Sequence, residues 1–134
     1  MKTLDNMDQL TDDKIATKIK EQQNLLLPTH DKLSLPIITR IYRKMINGIK
    51  FRDIKVTDTL LLDGHHRYVA SIMAGIELGR ITSSTTSATM EYDWKSVHFV
   101  DEEWETKEKI KKYNQRNAEV NNVSFEFLEQ LVKN

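Results

Sequence analysis

The stretch LLLDGHHRYVAS, residues 60–71, sets an aspartate, a glycine, two histidines and an arginine between an apolar run and a segment of helical spacing. Only four histidines and four glycines occur in the chain, and three of them occupy the consecutive positions 64–66. Where a strand feeds a helix through glycine, the first helical N–H groups have no intrahelical partner and lie at the positive pole of the helix dipole. That is an anion site. Gly64 lets a phosphate approach the backbone closely, Arg67 can fork onto two of its oxygens, and His65 or His66 can donate a further hydrogen bond. Asp63, at the strand end, can hold a magnesium ion or accept a proton from an attacking hydroxyl, with His65 as its catalytic neighbour. Adjacent histidines at a strand end are otherwise turn residues with ordinary partners; Asp63, Gly64 and Arg67 in register favour phosphate chemistry instead. No metal ligand set is expected, since neighbours diverge on a helix and the chain has neither an HExxH motif nor a cysteine.

The elements that must position this turn are legible on both sides of it. Thr11 can cap a helix over TDDKIATKIKEQQNLLL, with Asp12 and Asp13 at its positive end and Ile15, Ile19 and Leu26 near one face; Pro28 is expected to end it. In LPIITRIYRKMING, Ile37, Ile38, Ile41, Tyr42, Met45 and Ile46 repeat in pairs four apart, which predicts a core-facing helix stopped by Gly48. FRDIKVTDTLLLDG reads as two short strands, Ile54 to Val56 and Thr59 to Leu62, joined at Thr57 and Asp58. From His66 onward Val69, Ile72, Met73 and Ile76 take up helical spacing, with Gly75 and Gly79 as breakers. ITSSTTSATMEYD suits either a loop or an exposed strand, and SVHFV alternates as a strand. Asp101 is a candidate cap for a charged helix over EEWETKEKIKKYNQRN, anchored inward by Trp104, Ile110 and Tyr113. A last helix begins near Ser124 with Phe125, Leu128, Leu131 and Val132. His30 and His98 read as ordinary surface or strand histidines.

Composition removes whole classes of function. Twenty basic and twenty acidic residues cancel in a chain of 134, and the pI is near 6.9. A generic polyanion binder would need a surplus of Lys and Arg, although a local basic patch is compatible with neutrality. The absence of cysteine excludes disulfides, thiolate metal sites and thiol nucleophiles. The longest apolar run is too short for a bilayer, and no basic and then apolar leader opens the sequence, so a cytoplasmic protein with no membrane association is expected. The length suits one domain, 1–134, with no repeat and no long linker.

The segment from IITRIYRKMINGIKFRDIKV through LLLDGHHRYVASIMAG resembles the ParB/sulfiredoxin-like superfamily. The resemblance implies an α/β (α+β) fold: a short mixed sheet flanked by helices, with a core over about 33–100 and a C-terminal helical extension over 101–134. It further implies that Gly64, His66 and Arg67 form a phosphate-binding turn for a nucleotide triphosphate or diphosphate, such as ATP, ADP or CTP, with Mg2+ as a possible companion. His65 stands where sulfiredoxin has its cysteine, which rules out sulfiredoxin chemistry here. Three function classes follow: a nucleotide-dependent phosphotransferase or hydrolase using Asp63 and His65, a ParB-like nuclease acting on nucleic acid, and a non-catalytic module for a nucleotide or a protein partner, such as a toxin or immunity component.

Overall fold

A computed structural model describes residues 9–133; the polar opening MKTLDNMDQL predicts a frayed start, and its residues 1–8 lie outside the described residues. The first helix, α1 (Asp12–Lys20), starts as its sequence predicts: Thr11 Oγ1 accepts the Lys14 N–H at 3.2 Å, and Asp12 and Asp13 occupy the first turn. It stops well short of Pro28. Asn24 takes a left-handed conformation at φ +58°, which a short polar side chain tolerates. This turn brings Leu26 into the core from an extended stretch and lets Leu27 bridge to Leu60.

Strand β1 (Lys32–Ser34) leads directly into α2 (Leu35–Ile46), whose N-cap is Ser34. Ile37, Ile38 and Met45 are buried as their spacing requires, and the chain leaves the helix at Gly48, φ +87°. Two strands follow, β2 (Ile54–Thr57) and β3 (Leu60–Asp63), paired antiparallel around Asp58. Only Leu61 of the LLL run is fully buried; Leu60 and Leu62 are half-buried. The register steps from Lys55↔Asp63 to Val56↔Leu61, so β3 carries one extra residue at Leu62. Strict alternation would point Asp63 to the same side as the buried Leu61. The bulge re-aims it toward solvent.

Helix α3 (His65–Ala74) begins at the first histidine of the motif and ends at Gly75, φ +70°. Strand β4 (Arg80–Thr82) then returns parallel to β2, giving a mixed sheet of order β3-β2-β4, and the rest of the Ser/Thr-rich run is irregular. After a short 3-10 turn, Trp94–Ser96, strand β5 (His98–Val100) pairs parallel with β1. The chain closes with α4 (Lys107–Asn121) and α5 (Phe125–Val132), the latter capped by Ser124.

The charged helix starts later than expected. Thr106, not Asp101, caps α4 through the Lys109 N–H, and Trp104 lies ahead of the helix, 43% exposed. The reason lies in what holds residues 102–105: Ser34 Oγ donates to the Glu102 carbonyl, and Arg40 grips the carboxylates of Glu103 and Glu105. Tied to α2 in this way, the segment runs as a strap instead of winding.

The chain is therefore α/β, with α2 and α3 packed on each other and a core of Ile15, Leu33, Ile38, Ile54, Leu61 and Val69 between helices and strands. A second cluster of Ile49, Ala118, Leu128 and Leu131 lies under the C-terminal helices, and Phe51 touches both clusters. Among the described residues no helix is long and apolar enough to cross a membrane.

The turn after α1 is held by two aromatic side chains. The Leu26 N–H donates to Tyr68 Oη at 3.0 Å, the Leu26 carbonyl accepts from Trp94 Nε1 at 2.8 Å, and the two rings stack at 6.2 Å. Tyr68→Phe keeps the packing but leaves a buried N–H without its acceptor, so urea unfolding should show a loss of about 1–3 kcal/mol. A neutral result would mean that this clamp does not hold the turn.

Candidate functional site

The β3–α3 turn is built around Gly64. Its φ of +93° is a conformation that disfavours any residue with a Cβ, and a Cβ placed there would stand 2.5 Å from Arg67 Nη2 and 2.7 Å from Ile54 Cγ2. The space on that side of Gly64, expected to admit a phosphate, is taken by the Arg67 guanidinium and by Ile54. Arg67 is 8% exposed, and its Nη2 lies 3.6 Å from a carboxylate oxygen of Asp63, which is exposed. Burial, and then the charge of Arg52, push the Arg67 pKa down, while Asp63 and Asp53 oppose them. Among the described residues no side chain caps α3, so its first N–H groups face the turn without a side-chain acceptor there.

The two histidines separate. His65 is buried, and its Nε2 accepts the Thr29 N–H at 2.9 Å; His66 is half-buried, and its Nε2 accepts the Ser34 N–H at 3.0 Å. An imidazole that accepts at Nε2 is neutral, so each ring carries its proton on Nδ1. Burial, with the nearby charge of His30 next, lowers the His65 pKa to about 3 and the His66 pKa to about 4. His65 is turned toward the Thr29 segment, with the exposed His30 ring edge-on at 4.4 Å. His66 faces the cleft described next, beside the Trp104 ring at 5.5 Å.

A cleft of about 350 Å³ opens between α2, the start of α3, the segment before β2, and α4. Asp63, His66 and Arg67 line it; Gly64 and His65 do not. Five further cations converge there: Arg40 and Lys44 from α2, Lys50 and Arg52 before β2, and Arg116 from α4. Against six cations stand two carboxylates, Asp63 and Glu105, so the lining of a neutral chain holds an excess of four positive charges. Among the described residues, Lys50, Arg52 and Arg116 form no ion pair. Phe51, Tyr113 and the aliphatic side chains of Ile37, Ile41 and Ile110 supply an apolar wall.

Reading the motif alone therefore finds three cleft residues and misses five cations. A signal for some of them exists, since Ile37, Arg40, Ile41 and Lys44 share one stripe of α2, as Ile110, Tyr113, Asn117 and Val120 do on α4. Nothing in the sequence says that these two stripes face each other. Among the described residues no group of three or more His, Asp or Glu side chains could hold a metal ion by itself. A magnesium ion needs only one or two carboxylates when substrate phosphates supply the rest, and Asp63 fits that part.

No family model matches the chain, and neither the curated proteins nor the solved structures give a match.

Two expectations follow from this geometry. Gly64→Ala should destabilise the fold by more than the ~1–2 kcal/mol of left-handed backbone, and adding Arg67→Ala should recover part of the loss. A double-mutant cycle with zero coupling would show that Arg67 does not lie against Gly64. The histidines set a pH dependence: their folded pKa values lie below the unfolded value of 6.5, so the unfolded chain binds more protons between the two. Their contribution is complete above about pH 6.5 and is lost as pH falls, by roughly 1.4 kcal/mol per histidine per pH unit. Urea midpoints should drop between pH 7 and pH 5, above the range where most carboxylates titrate, and His65→Gln should flatten the slope. An unchanged midpoint would mean that the rings are not held neutral.

Proposed function

We propose that this chain is a nucleotide-phosphate-binding protein of the ParB/sulfiredoxin-like superfamily, with the cleft as its phosphate site and phosphotransfer or nucleotide hydrolysis as its activity. The observation that carries the reading is the gathering of six of the chain's twenty basic residues on one cleft, beside an uncapped helix N-terminus, in a molecule of zero net charge. Such a local excess attracts polyanions of small size, while the rest of the chain, left with the balancing excess of negative charge, offers them no general field. Phe51 and Tyr113 give a planar base apolar surface to lie on.

Roles within the reading follow from placement. Arg67 and the α3 N–H groups bind phosphate oxygens; Lys50, Arg52 and Arg116 at the rim hold the outer charge. Asp63 is the exposed carboxylate at the turn, so it accepts the proton of an attacking hydroxyl or water, or holds magnesium against the phosphates. His66 keeps its Nδ1–H as a hydrogen-bond donor. His65 acts by fixing the turn. A nucleotide ligand implies a cytoplasmic location. A ParB-like nuclease is the second reading, favoured by Lys107, Lys109, Lys111 and Lys112, which continue the cationic character of Arg116 along α4.

Calorimetry with ATP, ADP, CTP and GTP, each with and without magnesium, tests the proposal. At least one nucleotide should bind, and the exposed Arg116→Ala variant should weaken it by about 1.5–3 kcal/mol, roughly ten- to hundred-fold in Kd, with an unchanged melting temperature. If no nucleotide binds at millimolar concentration, the reading falls. Cleavage of plasmid DNA dependent on Asp63 would turn the assignment to the nuclease.

A further inference from the structure

Lys44 is the one buried lysine among the described residues, only 5% exposed, and it lies in the lining of the cationic cleft. A buried ammonium brings three donors and a full charge, and needs acceptors or a carboxylate to be stable. Lys44 has little of either. Its Nζ makes one hydrogen bond, to Asn117 Oδ1 at 2.8 Å, and forms no ion pair among the described residues. Arg40, one turn earlier on α2, adds a like charge, and its own carboxylate partners are Glu103 and Glu105. Lys50, Arg52, Arg67 and Arg116 add further positive charge around the same cleft, with Glu105 and Asp63 opposing it. An ammonium is therefore less stable at this position than in water, and the neutral amine is correspondingly easier to reach. Consistently, burial first and Arg40 second lower its pKa to about 8, against a smaller opposing effect of Glu105.

A desolvated lysine beside other cations is a nucleophile at neutral pH, and anions are what the surrounding cations collect. We propose that Lys44 is the reactive amine of the cleft, forming an imine with an anionic aldehyde or ketone held by the neighbouring cations. The Nζ lone pair adds to the carbonyl carbon. The carbonyl oxygen leaves as water with both amine hydrogens, and a C=N bond replaces C=O. Asn117 is a positioning residue, accepting one amine hydrogen before attack. The inference rests on the anion preference of the proposed phosphate site, though not on a nucleotide being its ligand.

Pyridoxal 5′-phosphate, which joins an aldehyde to a phosphate, is a direct probe. The full chain is incubated with it over pH 6.5 to 10, the imine is reduced with borohydride, and adducts are mapped by peptide mass spectrometry. One dominant adduct is expected, at Lys44, forming about tenfold or more faster than the mean of the exposed lysines at pH 8 and rising in rate through that pH. Inorganic phosphate should compete, pyridoxal lacking the phosphate should react more slowly, and Lys44→Gln should remove the adduct. The wild-type map alone decides the matter should that variant not fold. Adducts spread over exposed lysines with none at Lys44, or a Lys44 rate that follows an ordinary lysine titration, would overturn the inference. A phosphate-competed adduct at Lys44 in a chain whose melting no nucleotide shifts would sustain it and defeat the nucleotide reading instead. Nucleotide binding with no adduct at Lys44 would do the reverse.

Discussion

Two backbone N–H groups, those of Thr29 and Ser34, donate to adjacent imidazoles on the first turn of α3, and the geometry around the cleft depends on that pair of bonds. Neighbouring residues on a helix point about 100° apart, so consecutive histidines reach different segments. His65 takes the loop ahead of β1, and His66 takes the last residue of β1, where α2 is capped. Together they fix the start of α3 against the entry of α2, which is one wall of the cleft. Both rings must stay neutral to accept these bonds. The cleft therefore has a histidine beside its cations that adds no charge of its own.

Next to this staple, one glycine lets a charged side chain fold back on the chain. Arg67 packs against the Cα of Gly64, where a Cβ would overlap both its guanidinium and Ile54, and from there it reaches Asp63. The bulge at Leu62 completes the arrangement by aiming Asp63 outward. Burying most of an arginine is costly unless a carboxylate and hydrogen-bond acceptors are near. Asp63, and the acceptors of a bound anion in the proposed function, serve that need.

The cations that meet in the cleft repel one another, and the chain offsets part of this with named partners. Arg40 is forked by Glu103 and Glu105 of the strap, Arg67 leans toward Asp63, and Lys44 donates to Asn117. Among the described residues, Lys50, Arg52 and Arg116 at the rim are not neutralised in this way. Inner charges are thus positioned by protein groups, while the outer ones are the cations to which the proposed function assigns a ligand. The same strap that steadies Arg40 leaves Trp104 beside His66, at the edge of the site.

Much of the architecture is local, and the sequence determined it. Thr11, Ser34 and Ser124 cap helices, Gly48 and Gly75 end them, and alternation marks β2 and β5, because each signal acts within one turn or one pleat. The DGHHR turn was legible for the same reason: a strand, a glycine and a helix start are adjacent in the chain. Tertiary structure decided the rest. The chain left α1 at Lys20 and turned at Asn24, where Leu27 pairs with Leu60, and residues 102–105 stayed unwound because Ser34 and Arg40 hold them from more than sixty positions away. Local spacing shows that Arg40 and Lys44 share a stripe of α2, and that Tyr113 and Asn117 share one on α4. That the two stripes face each other, and that Lys44 is thereby taken out of water, depends on packing between distant helices, to which no local pattern in the sequence corresponds.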